Sequence, residues 1–332
     1  MEYRTGILGT NFQVPPRVVT NAELEKVMET SDEWIQQRTG VKQRRYIDQG
    51  MTGATLAAEA ARRALDEAGM KPSEVDAIIC ATLSPDRHFP GNAVFLQEQL
   101  GNWGSAVYDV RNQCTGFPYS LALADKLVRA GVHERVLVCG AELHSTGLEM
   151  ATRSRDVSVM FGDGAGVFIV GRETREGHGI LSTHLHGEGQ NARLLWTDCE
   201  GSAHHPRLTS EMIEDGRIFP AMKGRVVFMH AIRRFPEVIE EALKANNVTK
   251  DDVDCFVFHQ ANLRIIEFVS NQMELPPEKT HNNIQVYGNT TAASIPIAFH
   301  EAREKGLIKR GSLVLIAAFG SGFTWASILL RF

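Results

Sequence analysis

Asp109 to Gly131, DVRNQCTGFPYSLALADKLVRAG, decides the fold, because it reads as the end of a buried strand turning into a buried helix with a cysteine at the turn. Ala106 to Val110 has the content of a short strand end, and Phe117, Leu121, Ala124 and Val128 recur at helical spacing as far as Gly131. Leu123, Leu127 and Ala130 make a second apolar stripe, and a helix apolar on two sides belongs in a core. Pro118 is tolerable only in a first turn, which starts the helix near Thr115. Cys114 then sits at the N-terminal end, where unpaired N–H groups and the positive end of the helix dipole favour thiolate over thiol. The competing reading is a small buried hydrophobe, the usual state of a free cysteine.

Working outward, the chain repeats itself. Ala60 to Ala81 matches Val238 to His259 without gaps, Glu74-Val75-Asp76 falling on Asp252-Val253-Asp254. Each copy reads as helix, polar turn, buried strand. The Cys114 segment matches the one after Asn289 (NTTAASIPIAFHEAREKG), with Asn112 set on Asn289 and Val136 to Gly140 set on Leu313 to Ala317. FGDG at Phe161 matches FGSG at Phe319 at a shorter offset, so the first half carries an extra segment between Glu142 and Phe161. Such self-similarity predicts a duplicated α/β unit, residues 1–175 and 176–332, packed into a layered αβαβα sandwich with catalytic groups where matching strand ends meet. The extra segment, HSTGLEMATRSRDVSVM, is long for a connection and reads as a cap over a site or a subunit contact. Tyr3 to Asn11 reads as a first strand, and Asn21 to Arg38 as one or two helices with Ser31 or Asp32 capping the second. Gly187 to Gly224 is polar, reads as looped, and joins the halves.

The composition narrows the class. A chain of 332 residues, 43% hydrophobic and 23% charged, is an ordinary globular protein with room for a large core. A formal charge of −5 does not favour nucleic acid, and no run is apolar enough for a membrane span. Met1 to Phe12 lacks the basic start and apolar stretch of a secretory leader. Five cysteines without framework spacing or a CxxC pair suit a reducing compartment, so the cytoplasm is expected. Cys80, Cys139 and Cys255 lie in apolar runs that read as strands, and Cys199 reads as a loop residue, leaving Cys114 as the nucleophile by position.

His259 follows the apolar strand Val253 to Phe258, and Asn289 follows Asn283 to Tyr287, also read as a strand. The duplication brings these ends toward Cys114, giving a Cys-His-Asn set. Singly, each has a structural account: a hydrogen-bonded histidine at a strand end, an asparagine in a turn. GDGAG at Gly162 precedes a strand and opens no helix, which argues against dinucleotide binding. Close approach of loop backbone to a site, with N–H groups facing an oxyanion, suits it better. No metal is expected, since His184 with His186 and the pair His204-His205 lack companion ligands at usable spacing. Lys223, Arg225, Arg233, Arg234 and Arg264 gather charge that reads either as a solvated face or as a surface for an anionic partner. Papain-like hydrolases share the Cys, His, Asn order, but their signature around the cysteine is absent and they give no reason for a repeat.

Cys114, HQANLR at His259, YGNTTAAS with Asn289, TSDEWI and RTG between Thr30 and Gly40, HFPGN at His88 and AFGSGFTWASILLRF at the C-terminus together resemble the thiolase-fold condensing enzymes, most closely the β-ketoacyl-acyl-carrier-protein synthase III family. The resemblance spans essentially the whole chain. It implies decarboxylative condensation of an acyl-CoA primer with malonyl-acyl carrier protein by a homodimer, with no cofactor. It also implies roles: Cys114, His259 and Asn289 catalytic; the N–H groups of Cys114 and Ser321 as oxyanion hole; Thr30, Trp34, Arg38, Arg155 and Asn262 around CoA. Phe319 would pack near the thiol, Phe89 would close the partner's acyl pocket, and Lys223, Arg225, Arg233, Arg234 and Arg264 would meet the carrier protein. An acyltransferase with another acceptor, or a head-to-head condensing enzyme, would use the same set. A non-catalytic partner subunit would not need all three residues. Asn112-Gln113 before the cysteine, Ser321 where glycine is frequent, and the long Gly187 to Gly224 segment depart from common members and leave the primer open.

Overall fold

The computed structural model describes residues 3–332 and arranges them in layers of helix, sheet, helix, sheet and helix. The first sheet takes β1 (Arg4–Gln13), β2 (Ala77–Ala81), β3 (Ala106–Val110), β4 (Arg135–Glu142) and β5 (Gly164–Glu173), in spatial order β1-β5-β4-β2-β3. The second takes β6 (Gly179–Gly187), β7 (Cys255–Phe258), β8 (Leu313–Gly320) and β9 (Thr324–Arg331), in order β7-β8-β9-β6. The longer helices are α1 (Asp32–Thr39), α2 (Gly53–Ala68), α3 (Asn92–Leu100), α4 (Gly116–Arg129), α5 (Gly224–Ala245), α6 (Leu263–Gln272) and α7 (Ser294–Glu304). Among the described residues, no helix is long and apolar enough to cross a membrane. Met1 and Glu2, the start of the stretch read against a leader, lie outside them.

Strand alternation sets the layers. Ala77 and Ile79 of β2 face α4 and α7 in the central layer, while Ile78 and Cys80 face α2 and α3 outside. The second sheet divides likewise, Val314 and Ile316 turning inward and Leu315 and Ala317 outward against α5 and α6. α2 lies flat on its sheet because Ala57, Ala60, Ala61 and Ala64, all wholly buried, present almost no side chain. Thr52 caps its first turn and Gly69, at φ 66°, its last.

Register fixes the duplication. Ala77 pairs with Val136 in the first sheet, and 178 residues on Cys255 pairs with Val314 in the second. Gln113 and Thr291, also 178 apart, are both left-handed non-glycine residues, at φ 45° and 47°. Cys114 therefore corresponds to Ala292, and the expected match of Asn112 with Asn289 is one residue out. The two FG motifs are not counterparts either. Gly164 opens β5, whereas Phe319 and Gly320 end β8 and correspond to Ala141 and Glu142. The extra segment is therefore the connection from β4 to β5.

Three more expectations change. Asn283 to Tyr287 is no strand: Asn283 leads into a single helical turn, Ile284–Tyr287. The side-chain carbonyl of Gln260 accepts the N–H groups of Asn283 and Ile284 at 3.1 and 3.3 Å, and Asn283 and Tyr287 donate to Glu301 at 2.9 and 2.7 Å. Donors a strand would offer a neighbour are thus already engaged. In α4 the Phe117, Leu121, Ala124, Val128 stripe is wholly buried, but Leu123 and Ala130 of the second stripe are exposed. The joining segment is only partly looped, since Leu195–Trp196 pairs with Ala221–Met222 and Ser210–Glu214 makes a helical turn.

Candidate active site

β3 ends at Val110, and a single tight turn, Gln113–Thr115, hands the chain to α4. The left-handed Gln113 brings Cys114 round to face the end of β8, where Gly320 makes room: a Cβ there would lie 2.2 Å from the Cys114 Cβ and 2.8 Å from its Sγ. The backbone N–H groups of Ser321 and of Cys114 itself are directed at the sulfur. Ser321 is held by its hydroxyl, which donates to the Leu195 carbonyl.

A cavity of about 500 Å³ reaches the thiol. Cys114, Asn289 and Phe319 form its buried end, while Arg38, Arg225 and Arg264 are exposed at the other. Trp34, Asn262, Met160 and Phe161 line the way between. The backbone of Asn289 is pinned by Met160 and Gly162, its N–H donating to Met160 O at 2.8 Å and its carbonyl accepting from Gly162 at 3.1 Å. Its side-chain oxygen accepts the Thr291 N–H at 2.9 Å, which turns the amide NH2 away from the turn.

His259 directly follows β7 and is not among the residues lining the cavity, whereas Ala261 and Asn262 just beyond it are. The Ser294 hydroxyl donates to Thr291 O at 2.8 Å, so its oxygen is free to receive Nδ1–H of His259 at 2.6 Å. Nε2 is left carrying its lone pair, buried and without a hydrogen-bond partner. Burial, with the nearby His144 ring adding to it, lowers this imidazole to about 3, so it is neutral at pH 7. Burial likewise pushes the Cys114 thiol up to about 12, outweighing the N–H donation from Ser321 and from itself. This corrects the expectation of a resting thiolate: desolvation exceeds what the helix end supplies, and the sulfur rests as a thiol.

The remaining expected residues divide. The Arg38 and Arg155 guanidinium carbons lie 5.3 and 4.9 Å from the centre of the Trp34 ring, and Arg155 donates to Glu29 O at 2.6 Å. Asn262 works as the N-cap of α6, accepting from Arg264 N, and its amide donates to Arg38 O at 3.0 Å, tying α6 to the end of α1. Thr30 is off the cavity wall, its hydroxyl buried without a partner. Phe89 is 83% exposed and outside the cavity of its own chain. Lys223 and Arg225 are exposed at the start of α5, and Arg233 is exposed beside Glu237. Arg234 does not share that face, because it pairs with Glu237 and Glu188 and lies over Trp325 at 4.5 Å.

Folding also brings together groups that spacing kept apart. Asp198, Cys199 and His204 place ligand atoms within 4.8 Å of one another, companions for His204 that the linear sequence did not offer, although Arg217 already holds Asp198 at 2.7 Å. His184 and His186 share Glu241. Three buried groups escaped the sequence reading. Arg44, wholly buried, donates to Val19 O, Asn21 and Val159 O and so braces the backbone leading to Phe161. Glu142 and His144 follow the apolar run of β4 and lie across the turn after Asn289. Their partners on that turn are 147 to 150 residues away, and those of Glu142 in its own half are 58 to 60 away, so no local pattern marks them.

Residues 108–189 match the family model described as 3-oxoacyl-[acyl-carrier-protein (ACP)] synthase III, and residues 243–332 match the model of its C-terminal part. The chain is 41% identical to the beta-ketoacyl-[acyl-carrier-protein] synthase III of Caldanaerobacter subterraneus, over 98% of this chain and 97% of the relative. It is 42% identical to that of Agrobacterium fabrum, over 99% of each. The crystal structure of 3-oxoacyl-[acyl-carrier-protein] synthase III from Aquifex aeolicus superimposes with a TM-score of 0.90 at 41% identity, covering 99% of this chain and 100% of that one.

Proposed function

Because the chain belongs to the 3-oxoacyl-[acyl-carrier-protein] synthase III family, with that family's thiolase-like fold and acyltransferase chemistry, we propose that Cys114, His259 and Asn289 carry its condensation of an acyl-CoA primer with malonyl-acyl carrier protein. The observation that carries this assignment is one cavity with Cys114 and Asn289 at its closed end and basic residues at its mouth, which His259 adjoins through Ala261 and Asn262 without itself lining the wall.

In the first half-reaction the Cys114 sulfur attacks the primer thioester as its proton passes to Nε2 of His259, the one site imidazole nitrogen holding a free lone pair. The backbone N–H groups of Cys114 and Ser321 receive the oxyanion. The imidazole returns the proton to the departing CoA sulfur. Malonyl-carrier protein then enters, and loss of CO2 leaves an enolate whose oxygen needs hydrogen-bond donors. Asn289 offers its NH2 group. His259 donates from Nε2 in the tautomer that carries its proton there, which takes one proton from solvent at Nε2 and gives one up to solvent from Nδ1, with the Ser294 hydroxyl turned from Thr291 O to donate to Nδ1. The enolate carbon attacks acyl-Cys114 and releases 3-oxoacyl-carrier protein, the thiolate recovering a proton from solvent through the same imidazole. Asp156, an exposed residue, is the carboxylate on the cavity wall among the described residues, while the buried Glu142, whose charge is felt at Cys114, does not line it.

Trp34, Arg38 and Arg155 take the CoA headgroup in this reading, and Phe319 forms the wall of the primer pocket. An adenine ring placed between Trp34 and Arg155 requires them to separate from their 4.9 Å contact. Arg225 and Arg264 at the mouth, with Lys223 and Arg233 beside them, suit the acidic carrier protein; Arg234 is spoken for by its own partners. A homodimer fits two features, the exposed Phe89 and the free edge that β3 leaves on the first sheet. Five unpaired cysteines fit a cytoplasmic setting.

Separate measurement of the half-reactions tests the assignment. Cys114→Ala abolishes acyl transfer from CoA. Asn289→Ala leaves Cys114 open to acylation while CO2 release from malonyl-carrier protein falls by about a hundredfold. His259→Ala slows both. Wild-type CO2 release by Asn289→Ala would remove that residue from the mechanism.

A further inference from the structure

The duplication poses a question at the seam between the halves. The turns Gln113–Thr115 and Thr291–Ala293 are counterparts, each entered through a left-handed residue and each leading into a central helix. Each faces the end of a counterpart strand, β8 for the first and β4 for the second. By the 178-residue register, Gly320 corresponds to Glu142 and Gly322 to His144. On the Cys114 side both positions are glycine, and at Gly320 even a methyl group would collide with the nucleophile. On the Ala292 side both carry large polar side chains, and both are buried.

Those side chains grip the turn. Glu142 accepts the N–H of Ala292 at 3.4 Å, the counterpart of the Cys114 N–H. It is anchored in the first half by Ser84 Oγ at 2.6 Å, Thr82 Oγ1 at 3.2 Å and the N–H groups of Leu83 and Ser84. Its carboxylate thus occupies a position at which the working copy carries no side chain. His144 Nε2 meets Thr291 Oγ1 at 2.5 Å, and its ring lies 4.5 Å from that of Phe161, whose backbone bridges to Asn289. The Thr291 N–H in turn holds the Asn289 side-chain oxygen.

We propose that Glu142 and His144 occupy a retired second copy of the active site and act there as positioning residues, clamping the Thr291–Ala293 turn so that the Asn289 amide presents its NH2 group to the substrate. The clamp acts through Thr291, touches no substrate, and serves decarboxylation rather than acyl transfer. Burial keeps the His144 imidazole neutral near pH 7 by lowering it to about 3, and raises Glu142 to about 7, so that this carboxyl is about half ionised there. The inference rests on the role assigned to Asn289 above.

The test compares His144→Leu, His144→Gln, Asn289→Ala and the double variant His144→Leu/Asn289→Ala. Cys114 acylation by acyl-CoA and CO2 release from malonyl-carrier protein are read separately. The clamp predicts that His144→Leu keeps acylation within about twofold and loses CO2 release at least tenfold. His144→Gln, which still reaches the Thr291 hydroxyl, recovers most of it, and the double variant is no worse than Asn289→Ala alone. Should His144→Leu fail to fold, Thr291→Val removes the same hydrogen bond at nearly constant shape and is expected to show the same split. Unchanged CO2 release in His144→Leu beside an impaired Asn289→Ala overturns the clamp alone, as does a further loss in the double variant. An unimpaired Asn289→Ala overturns the role of Asn289 itself, and the clamp with it.

Discussion

The central residue is a thiol that burial holds protonated, and this makes the pH dependence of Cys114 reactivity distinctive. A thiol raised to about 12 is protonated below that value, so its thiolate fraction grows about tenfold for each unit of rising pH. Alkylation of Cys114 by iodoacetamide is expected to follow that slope from pH 6 to pH 9 without levelling; a plateau below pH 8 would mean a thiolate-imidazolium pair and would contradict the tautomer assigned to His259. At this scale the sequence was legible where candidate residues stand at a break in local structure. His259 directly follows the apolar strand β7, Cys114 stands in the turn after β3, and Asn289 follows the helical turn Ile284–Tyr287. Burial, which sets the protonation of the first two, depends on chain brought in from the other half and leaves no local sign. Arg44, Glu142 and His144 were illegible for the same reason.

The elements followed period and capping. A strict 3.6-residue stripe placed α4, and Ser31 before an acidic first turn placed α1. Errors came where similarity of letters stood in for geometry. FGDG and FGSG look alike and occupy different points of the topology, because the glycines of one open a strand and those of the other end one. Asn283 to Tyr287 is placed as a strand by the repeat, yet Gln260 and Glu301 engage its polar groups and coil it. The closing turn at β8 yields a prediction of its own. Gly320→Ala sets a methyl group against Cys114, so acylation is expected to fall about a hundredfold from displacement of the sulfur. Overpacking adds a loss of stability of about 1–3 kcal/mol, read from denaturant unfolding. Wild-type acylation in that variant would show that the end of β8 can retreat and that the fit described here is not limiting.

The whole molecule is two similar halves that share one site. Duplication was visible in the sequence because Glu-Val-Asp and Asp-Val-Asp precede equivalent buried strands, and the sheet registers repeat at the same spacing. Divergence of the halves was not visible, since it consists of single residues, cysteine against alanine and glycine against glutamate, at points that only the register identifies. Assembly follows at this scale. Sedimentation is expected to give twice the chain mass of 36.8 kDa, and Phe89→Ala is expected to leave the dimer intact while broadening the range of primers that acylate Cys114. A monomer at micromolar concentration, or an unaltered primer range, would remove Phe89 from the pocket.

Passage of an acyl group through Cys114 is the step on which every other assignment depends, and intact-mass spectrometry of the wild-type enzyme reads it directly. After incubation with acyl-CoA, one acyl adduct is expected, on Cys114 among the five cysteines. Addition of malonyl-carrier protein is expected to discharge it with release of one CO2 and formation of 3-oxoacyl-carrier protein. An adduct on any other cysteine, or one that discharges to water at the same rate without malonyl-carrier protein, would contradict it.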